Sequence, residues 1–213
     1  MIHVQTLCLN PIQENTYIVY DDTKEAVIID CGALFEGERQ AVTDFLTEHQ
    51  LTPVAHLLTH AHFDHLFGSG YLYEHYGLKA RFHQADAELF DGAQEQVVMM
   101  IRHQLPFTTG PTGEAVTSES IIRFGNHEFT VLPCPGHTQG GVCYYCKDEK
   151  ILFSGDSLFQ QSIGRTDLPG GNYQQLIRSL STLLSSLPDD ITVYPGHGPA
   201  TTTGQEKALN PYI

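Results

Sequence analysis

The chain has 213 residues, of which 41% are hydrophobic and 17% charged, a composition typical of a globular protein with a substantial core. It has 25 acidic residues and 11 lysines and arginines, so its formal net charge is −14. So acidic a surface repels phosphate backbones and anionic lipids. No apolar run approaches the roughly 20 residues of a membrane span, and no basic, uninterrupted apolar leader begins the chain. We therefore predict a cytoplasmic protein that binds neither nucleic acid nor membranes.

β-type runs and helical patterns alternate along most of the chain. The first part predicts a strand hairpin over 16–20 and 26–30, a helix over 37–49, a strand over 55–58, a helix over 68–76 and a strand over 80–83. Residues 84–118 are less regular, with helical patterns over 85–90 and 94–102 and a Pro/Gly/Thr-rich loop over 105–113.

Strands resume in the second half, over 120–123, 128–132, 141–146 and 151–154. An apolar stripe from Leu176 to Leu187 then predicts the clearest helix, with Asn172 as its N-cap and Pro188 after its end. A last strand covers 191–194. No linker-like segment divides the chain, so we predict a single domain over residues 1–213.

Five scattered cysteines predict reduced thiols rather than a disulfide framework. Cys143 and Cys146 have the spacing of a redox or zinc pair. They lie in a strand-like run, however, where residues three apart point to opposite faces. We therefore predict that both cysteines serve strand packing.

A histidine-rich segment follows the strand over 55–58. His60, His62, Asp64 and His65 place three imidazoles and a carboxylate within six residues. Four metal-ligand side chains in one tight turn are costly to bury without a cation. The alternative is a polar surface loop, and the spacing favours a metal site.

Three further turns each place one ligand-type side chain directly after a predicted strand. His137 lies in Pro-Gly-His-Thr, Asp156 in Ser-Gly-Asp and His197 in Pro-Gly-His-Gly. A lone histidine in a loop is a weak signal, but the four pieces together indicate a shared metal centre.

The set His-x-His-x-Asp-His, Gly-His-Thr, Gly-Asp and Gly-His-Gly resembles the metallo-β-lactamase superfamily. The resemblance implies an α/β fold, a four-layer αββα sandwich of two mixed sheets with metals at one edge. The residues it implies as ligands are His60, His62 and His137 for one metal, Asp64, His65 and His197 for a second, and Asp156 as the bridge. Asp30 resembles the buried aspartate that supports the histidine loop, and a simple turn aspartate is the alternative.

The chemistry implied is metal-dependent hydrolysis. A metal-bound water, acting with Asp64 and Asp156, would be the nucleophile. The expected cofactor is zinc, one or two ions per chain, with iron or manganese as alternatives. A long middle loop is often functional, so we interpret residues 94–113 as a lid over the metals.

Within the superfamily the sequence resembles glyoxalase II, in particular the short bacterial type known as YcbL. This implies a small-molecule thioester substrate, a glutathione conjugate such as S-lactoylglutathione. Arg165, in Gly-Arg-Thr-Asp, is the residue we predict to bind a substrate carboxylate; an ion pair that braces its loop is the alternative. Larger glyoxalases II have a C-terminal glutathione-binding helical domain, and we expect none here, because Lys207 is the one cation of this sequence beyond His197.

Two other hypotheses stay open. Persulfide dioxygenases also resemble this sequence and hold one iron with the equivalents of His60, His137 and Asp156, a common ferrous oxygenase arrangement. A non-catalytic metal-binding protein is the second, and it would predict gaps in the ligand set, of which there are none.

Overall fold

The computed structural model describes residues 1–213, and strands and helices contribute about equally to its regular structure. The strands are β1 (His3–Leu9), β2 (Glu14–Tyr20), β3 (Glu25–Ile29), β4 (Thr52–Leu57), β5 (Ala80–Arg81), β6 (Ile121–Phe124), β7 (His127–Pro133), β8 (Val142–Cys146), β9 (Ile151–Gly155), β10 (Leu158–Phe159), β11 (Ser162–Ile163), β12 (Thr192–Pro195) and β13 (Thr201–Thr202). The helices are α1 (Glu36–Glu48), α2 (Phe63–Leu66), α3 (Ser69–Tyr76), α4 (Ala87–Asp91), α5 (Ala93–Ile101), α6 (Tyr173–Ser186) and α7 (Thr203–Leu209).

Two mixed sheets form the centre of the molecule. One has the strand order β1-β2-β3-β4-β5, with parallel pairing from β3 to β5. The other has the order β13-β12-β9-β8-β7-β6, with β12 and β9 parallel and the other pairs antiparallel. A two-stranded ribbon, β10-β11, stands apart from both.

The largest apolar cluster lies between the two sheets, where alternate residues of facing strands meet. Val27 and Ile29 of β3 belong to the same cluster as Phe129 of β7 and Phe153 of β9. The intervening residues point outward, as the two-residue period of a strand requires. Ile28, for example, belongs to the cluster beneath α1 and α3.

Helices cover the outer face of each sheet. Val42 of α1 and Leu72 of α3 pack on the first sheet, and Leu180 of α6 packs on the second. Each helix faces its sheet with the apolar stripe of an amphipathic helix. The arrangement confirms the predicted αββα sandwich of two mixed sheets.

Most predicted elements are present within one or two residues of their predicted bounds. The N-cap of α6 is also as predicted, since the Asn172 side chain accepts a hydrogen bond from the Gln175 N–H at 2.9 Å. The strand predicted over 80–83 is shorter, ending at Arg81. The sequence patterns missed β1, the β10-β11 ribbon, β13, α2 and α7. Edge strands carry little apolar periodicity, and strands of two residues or a helix of four carry almost none.

The cysteine prediction is confirmed. All five cysteines are free thiols. Cys143 packs with the α6 cluster, whereas Cys146 packs between the sheets, so the two point to opposite faces of β8. Among the helices, none combines the length and the apolarity that a membrane crossing requires.

Candidate metal centre

The histidine-rich segment forms a buried loop at the end of β4. The chain leaves the sheet after Leu57, and α2 begins at Phe63. His60 and His62 lie in this turn, Asp64 and His65 lie in α2, and each is at most 7% exposed. Polar side chains are rarely so buried without compensating partners.

The other three predicted ligands arrive from the second sheet. His137 follows β7, Asp156 follows β9 and His197 follows β12. Since β9 and β12 are adjacent and parallel, their carboxyl ends lie at the same edge. The Asp156 Oδ2 atom lies 3.7 Å from Nε2 of His137 and 3.6 Å from Nε2 of His197.

Two of the turn glycines leave no room for a side chain. A Cβ at Gly196 would lie 2.2 Å from Oδ1 of Asp156. A Cβ at Gly155 would lie 2.2 Å from Oγ1 of Thr59, and its φ of 50° is in the left-handed region that favours glycine. The glycines therefore allow the loops of the two sheets to approach closely.

The structure brings all seven predicted ligands together. In each of the following sets, the possible ligand atoms lie within 4.8 Å of one another. The sets are His60, His62 and His137; Asp64, His65 and His197; and His60, His65 and Asp156. The third set shares His60 with the first set and His65 with the second. This is the arrangement expected of two adjacent sites with Asp156 between them.

Asp30 supports the histidine loop from behind. It is 1% exposed, and its carboxylate accepts hydrogen bonds from the Thr59 N–H at 2.8 Å and the Thr59 hydroxyl at 2.9 Å. The carboxylate is also 3.0 Å from Nδ1 of His65. Because a carboxylate can only accept, Nδ1 of His65 carries a proton, and Nε2 faces the centre.

Three more histidines are oriented in the same way. Nδ1 of His60 is 3.1 Å from the Thr59 hydroxyl oxygen. Nδ1 of His137 donates to the Arg165 carbonyl at 2.6 Å, and Nδ1 of His197 donates to the Gln13 carbonyl at 3.1 Å. A hydrogen bond at one ring nitrogen fixes the tautomer and directs the other nitrogen toward a metal.

Unpartnered atoms face the middle of the cluster. Nε2 of His60, Nε2 of His65 and Oδ1 of Asp156 are buried and have no hydrogen-bond partner. Nδ1 of His62 lies 2.9 Å from Nε2 of His137, so two ring nitrogens point at each other. Unsatisfied buried groups are expensive, and imidazole nitrogens with carboxylate oxygens are ligands of divalent transition metals. The residues therefore fit one or two such ions.

The protonation states suit this role. Burial and the neighbouring histidines lower the pKa of His60 well below its usual value, and burial with His137 lowers the pKa of His62 to about 3. Burial alone would raise the pKa of Asp64 and of Asp156, but the charge of His65 and other neighbouring histidines outweighs it and holds both below the usual value. His60 and His62 are therefore neutral and the two carboxylates ionised, as metal ligation requires. Burial would also lower the pKa of His65 and of His197, but Asp64 and Asp156 outweigh it and raise both, so a cation would displace a proton from each.

Arg165 borders the centre but is already paired. Its guanidinium donates two hydrogen bonds to Asp167, at 2.8 and 2.7 Å, and its side chain is 52% exposed. Its backbone carbonyl holds His137. The loop-bracing ion pair, the alternative in the sequence prediction, is therefore present, and substrate binding by Arg165 would require it to exchange partners.

Lys207 and the loop over 105–113 lie outside the centre. Lys207 donates to the Leu187 carbonyl and to Asp189, both at 2.6 Å, on the side of α6. The loop over 105–113 packs against α3, where the Gly70 N–H donates to the Thr108 carbonyl. Of the segment over 94–113, only α5 borders the cavity beside the metals, so a lid over the whole segment is wrong.

Two buried acids near the site were missed from the sequence. Glu14 is fully buried, its carboxylate accepts from the Thr16 hydroxyl at 2.8 Å, and burial raises its pKa well above the usual value. Asp86 accepts from the Ala61 N–H at 3.1 Å, from the Thr138 hydroxyl at 2.8 Å and from the Gly140 N–H at 2.6 Å. No motif marks either residue, and the partners of Asp86 are distant in the chain.

Asp86 ties the histidine loop to the loop of His137, so its removal is expected to loosen both. Asp86→Ala leaves three buried donors unpaired and is expected to lower the free energy of unfolding by about 3 kcal/mol. Chemical denaturation measures this change, with the exposed Asp91→Ala as the matched control. An Asp86→Ala protein as stable as its parent would contradict the role.

Comparison with known proteins agrees with the fold. A family model of the metallo-β-lactamase superfamily matches residues 9–197, and the chain belongs to this superfamily. The hydroxyacylglutathione hydrolase GloC of Haemophilus influenzae is 35% identical over 100% of this chain and 98% of the relative. The probable metallo-hydrolase YqgX of Bacillus subtilis is 36% identical, over 96% and 94%.

Solved structures give the same result. The BLEG-1 B3 metallo-β-lactamase has a TM-score of 0.90 at 39% identity, covering 100% of this chain and 99% of that one. TTHA1623 in a di-iron-bound form has a TM-score of 0.86 at 38% identity, over 99% and 100%. ETHE1 from Myxococcus xanthus has a TM-score of 0.80 at 29% identity, over 98% and 83%.

Proposed function

We propose that this protein is a metal-dependent thioester hydrolase of the glyoxalase II type, which converts S-lactoylglutathione to lactate and glutathione. The observation that carries the proposal is the convergence of seven ligand-type side chains with unpartnered atoms at their centre. The similarity to a hydroxyacylglutathione hydrolase along the whole chain supports the choice of substrate. We propose zinc as the resident metal, with iron or manganese as alternatives.

Each side chain has a defined task in this proposal. His60, His62 and His137 would hold one ion, and Asp64 and His65 would hold a second together with the remaining histidine, His197. Asp156 would lie between the ions. When bound, divalent ions supply a water of lowered pKa and a Lewis acid for the thioester carbonyl.

The protein environment keeps these groups in place. Asp30, the Thr59 hydroxyl and two backbone carbonyls hold the outer ring nitrogens and so fix four imidazoles before any ion arrives. Asp64 and Asp156 contribute two negative charges that offset part of the cationic charge of two divalent ions. Little reorganisation is then needed during the reaction, which is the basis of electrostatic preorganisation.

The second ligand set favours a hydrolase over the one-iron persulfide dioxygenase. A mononuclear centre of His60, His137 and Asp156 would leave the converging atoms of Asp64 and His65 without a cation. Buried groups of this kind are costly unless a metal satisfies them. A two-ion centre satisfies both sets.

The test is an assay with S-lactoylglutathione, in which release of free thiol is followed with a thiol reagent. We expect hydrolysis by the metal-loaded protein and nearly none by His62→Ala, with the exposed His75→Ala as the matched control. Oxygen uptake with glutathione persulfide and no thioester turnover would overturn the proposal in favour of the dioxygenase. Turnover of the chromogenic cephalosporin nitrocefin alone would favour a β-lactamase instead.

A further inference from the structure

A cleft extends from the metal centre along α5. A cavity of about 310 Å³ adjoins the ligands Asp64, Asp156 and His197, and a second cavity of about 410 Å³ lies beside it. We call them the metal chamber and the distal chamber. They share His62, Phe63, Met100 and Leu168 in their walls, so the cleft is continuous.

The walls of the distal chamber are apolar and adaptable. Leu89, Met99 and Leu168 line it, and Met99 and Met100 are 53% and 41% exposed. Exposed apolar side chains in a concave wall indicate a binding surface, and the flexible thioether of methionine adapts to varied apolar ligands.

The position of α5 is fixed relative to the metal ligands. The Gln96 side chain donates to the Ala61 carbonyl at 3.0 Å and to the Leu89 carbonyl at 2.7 Å. Ala61 lies between two of the predicted ligands, His60 and His62. The chamber is therefore formed before substrate arrives, which lowers the entropic cost of binding.

The charges of the cleft differ between its two ends. Glu88 and Glu95 are exposed in the distal chamber and make no ion pair, and no lysine or arginine lines it. Arg165, the one arginine of the metal chamber, lies away from the distal chamber. Glutathione carries two carboxylates and one ammonium group, a net charge of about −1, so the acidic distal chamber repels it overall and the glutathione part of the substrate belongs at the Arg165 end.

We propose that the distal chamber selects the acyl group of the substrate, binding uncharged apolar acyl chains larger than lactoyl and rejecting chains that end in a carboxylate. This proposal rests on the thioester hydrolase activity proposed above. A chamber of about 410 Å³ with leucine and methionine walls is much larger than a three-carbon acyl group requires. Each methylene buried there adds binding free energy, which is retained in the transition state and so raises kcat/KM.

A chain-length series of S-acylglutathiones tests the size preference. From acetyl to butyryl to hexanoyl, we expect kcat/KM to rise about two- to fourfold for each methylene. Calorimetry with S-methylglutathione and S-hexylglutathione measures the same preference without turnover, and we expect the hexyl compound to bind at least about tenfold more tightly. Equal affinity and a flat chain-length profile would overturn the proposal.

A second pair of substrates tests the predicted rejection of acyl chains that end in a carboxylate. S-glutarylglutathione and S-pentanoylglutathione have acyl chains of equal length, and we expect the carboxylate to lower kcat/KM at least about tenfold. Glu95→Lys is expected to reduce the difference in kcat/KM between the two esters. Glu48→Lys, at an exposed position of α1, is the matched control and is expected to leave the difference unchanged. Equal turnover of both esters by the parent protein would overturn this part.

The outcomes also separate the two proposals. If no thioester is hydrolysed, the proposed function fails, while the calorimetric comparison still tests the chamber. If S-lactoylglutathione is hydrolysed and neither acyl length nor acyl charge changes kcat/KM, the hydrolase proposal stands and the chamber proposal fails.

A variant of the chamber wall tests the same surface directly. Met99→Asp, on the exposed face of α5, is expected to weaken binding of S-hexylglutathione at least about fivefold.

Discussion

Replacing Asp156 by asparagine is expected to lower kcat/KM for thioester hydrolysis by about 1,000-fold or more. Loss of a residue that only hydrogen-bonds to a metal ligand lowers activity less, by about 10- to 100-fold. The carboxylate lies 3.3 Å from Nε2 of His65 and within 3.7 Å of the ring nitrogens of His137 and His197. An amide has no net charge to hold two cations together. The substitution should therefore remove metal from the protein as well as activity.

Steady-state kinetics and metal analysis of the purified Asp156→Asn protein measure both effects. Asp190→Asn makes the same chemical change at an exposed carboxylate that pairs with Lys150, and we expect its activity to match the parent. Full activity in Asp156→Asn with an unchanged metal content would contradict the proposed bridging position.

Replacing Asp30 is expected to have the largest effect on stability. Asp30→Ala leaves the Thr59 N–H, the Thr59 hydroxyl and Nδ1 of His65 without their buried acceptor. Each unpaired buried donor costs about 1–3 kcal/mol, so we expect the free energy of unfolding to fall by about 4 kcal/mol. Chemical denaturation measures the loss, with the exposed turn residue Asp22→Ala as the control.

The asparagine variant separates support of the histidine from support of the fold. Asp30 has a φ of 54°, a conformation that asparagine tolerates better than most residues, and the amide of Asp30→Asn would keep one acceptor oxygen. We expect Asp30→Asn to retain more stability than Asp30→Ala, yet to bind metal about 10- to 100-fold more weakly. Unchanged metal affinity in a competition titration would show that Asp30 is only a turn residue.

The layers of the fold were predictable from the sequence because strong periodicities encode them. Ile28 and Ile29 alternate between two apolar clusters, and the Leu176–Leu187 stripe faces the second sheet. The ligands were predictable for a related reason. Each follows a strand directly, and strand ends meet at a sheet edge, so sequence position implied spatial convergence.

The parts that escaped prediction depend on contacts between distant segments. Asp86 holds Ala61 and Gly140, which lie 25 and 54 residues away in the chain, and nothing local marks it. The distal chamber likewise combines α5 with residues 168–170, which no pattern relates. The predicted lid was wrong over 105–113, because a Pro/Gly-rich loop indicates irregular structure without indicating where the loop packs.

Elemental analysis of the purified protein tests the proposed metal centre most directly. We expect about two divalent ions per chain, one for each converging ligand set, and loss of thioester hydrolysis when a chelator removes them. Return of activity on adding zinc would complete the expected result. A protein that hydrolyses the thioester at full rate while metal-free would contradict a metal-dependent mechanism.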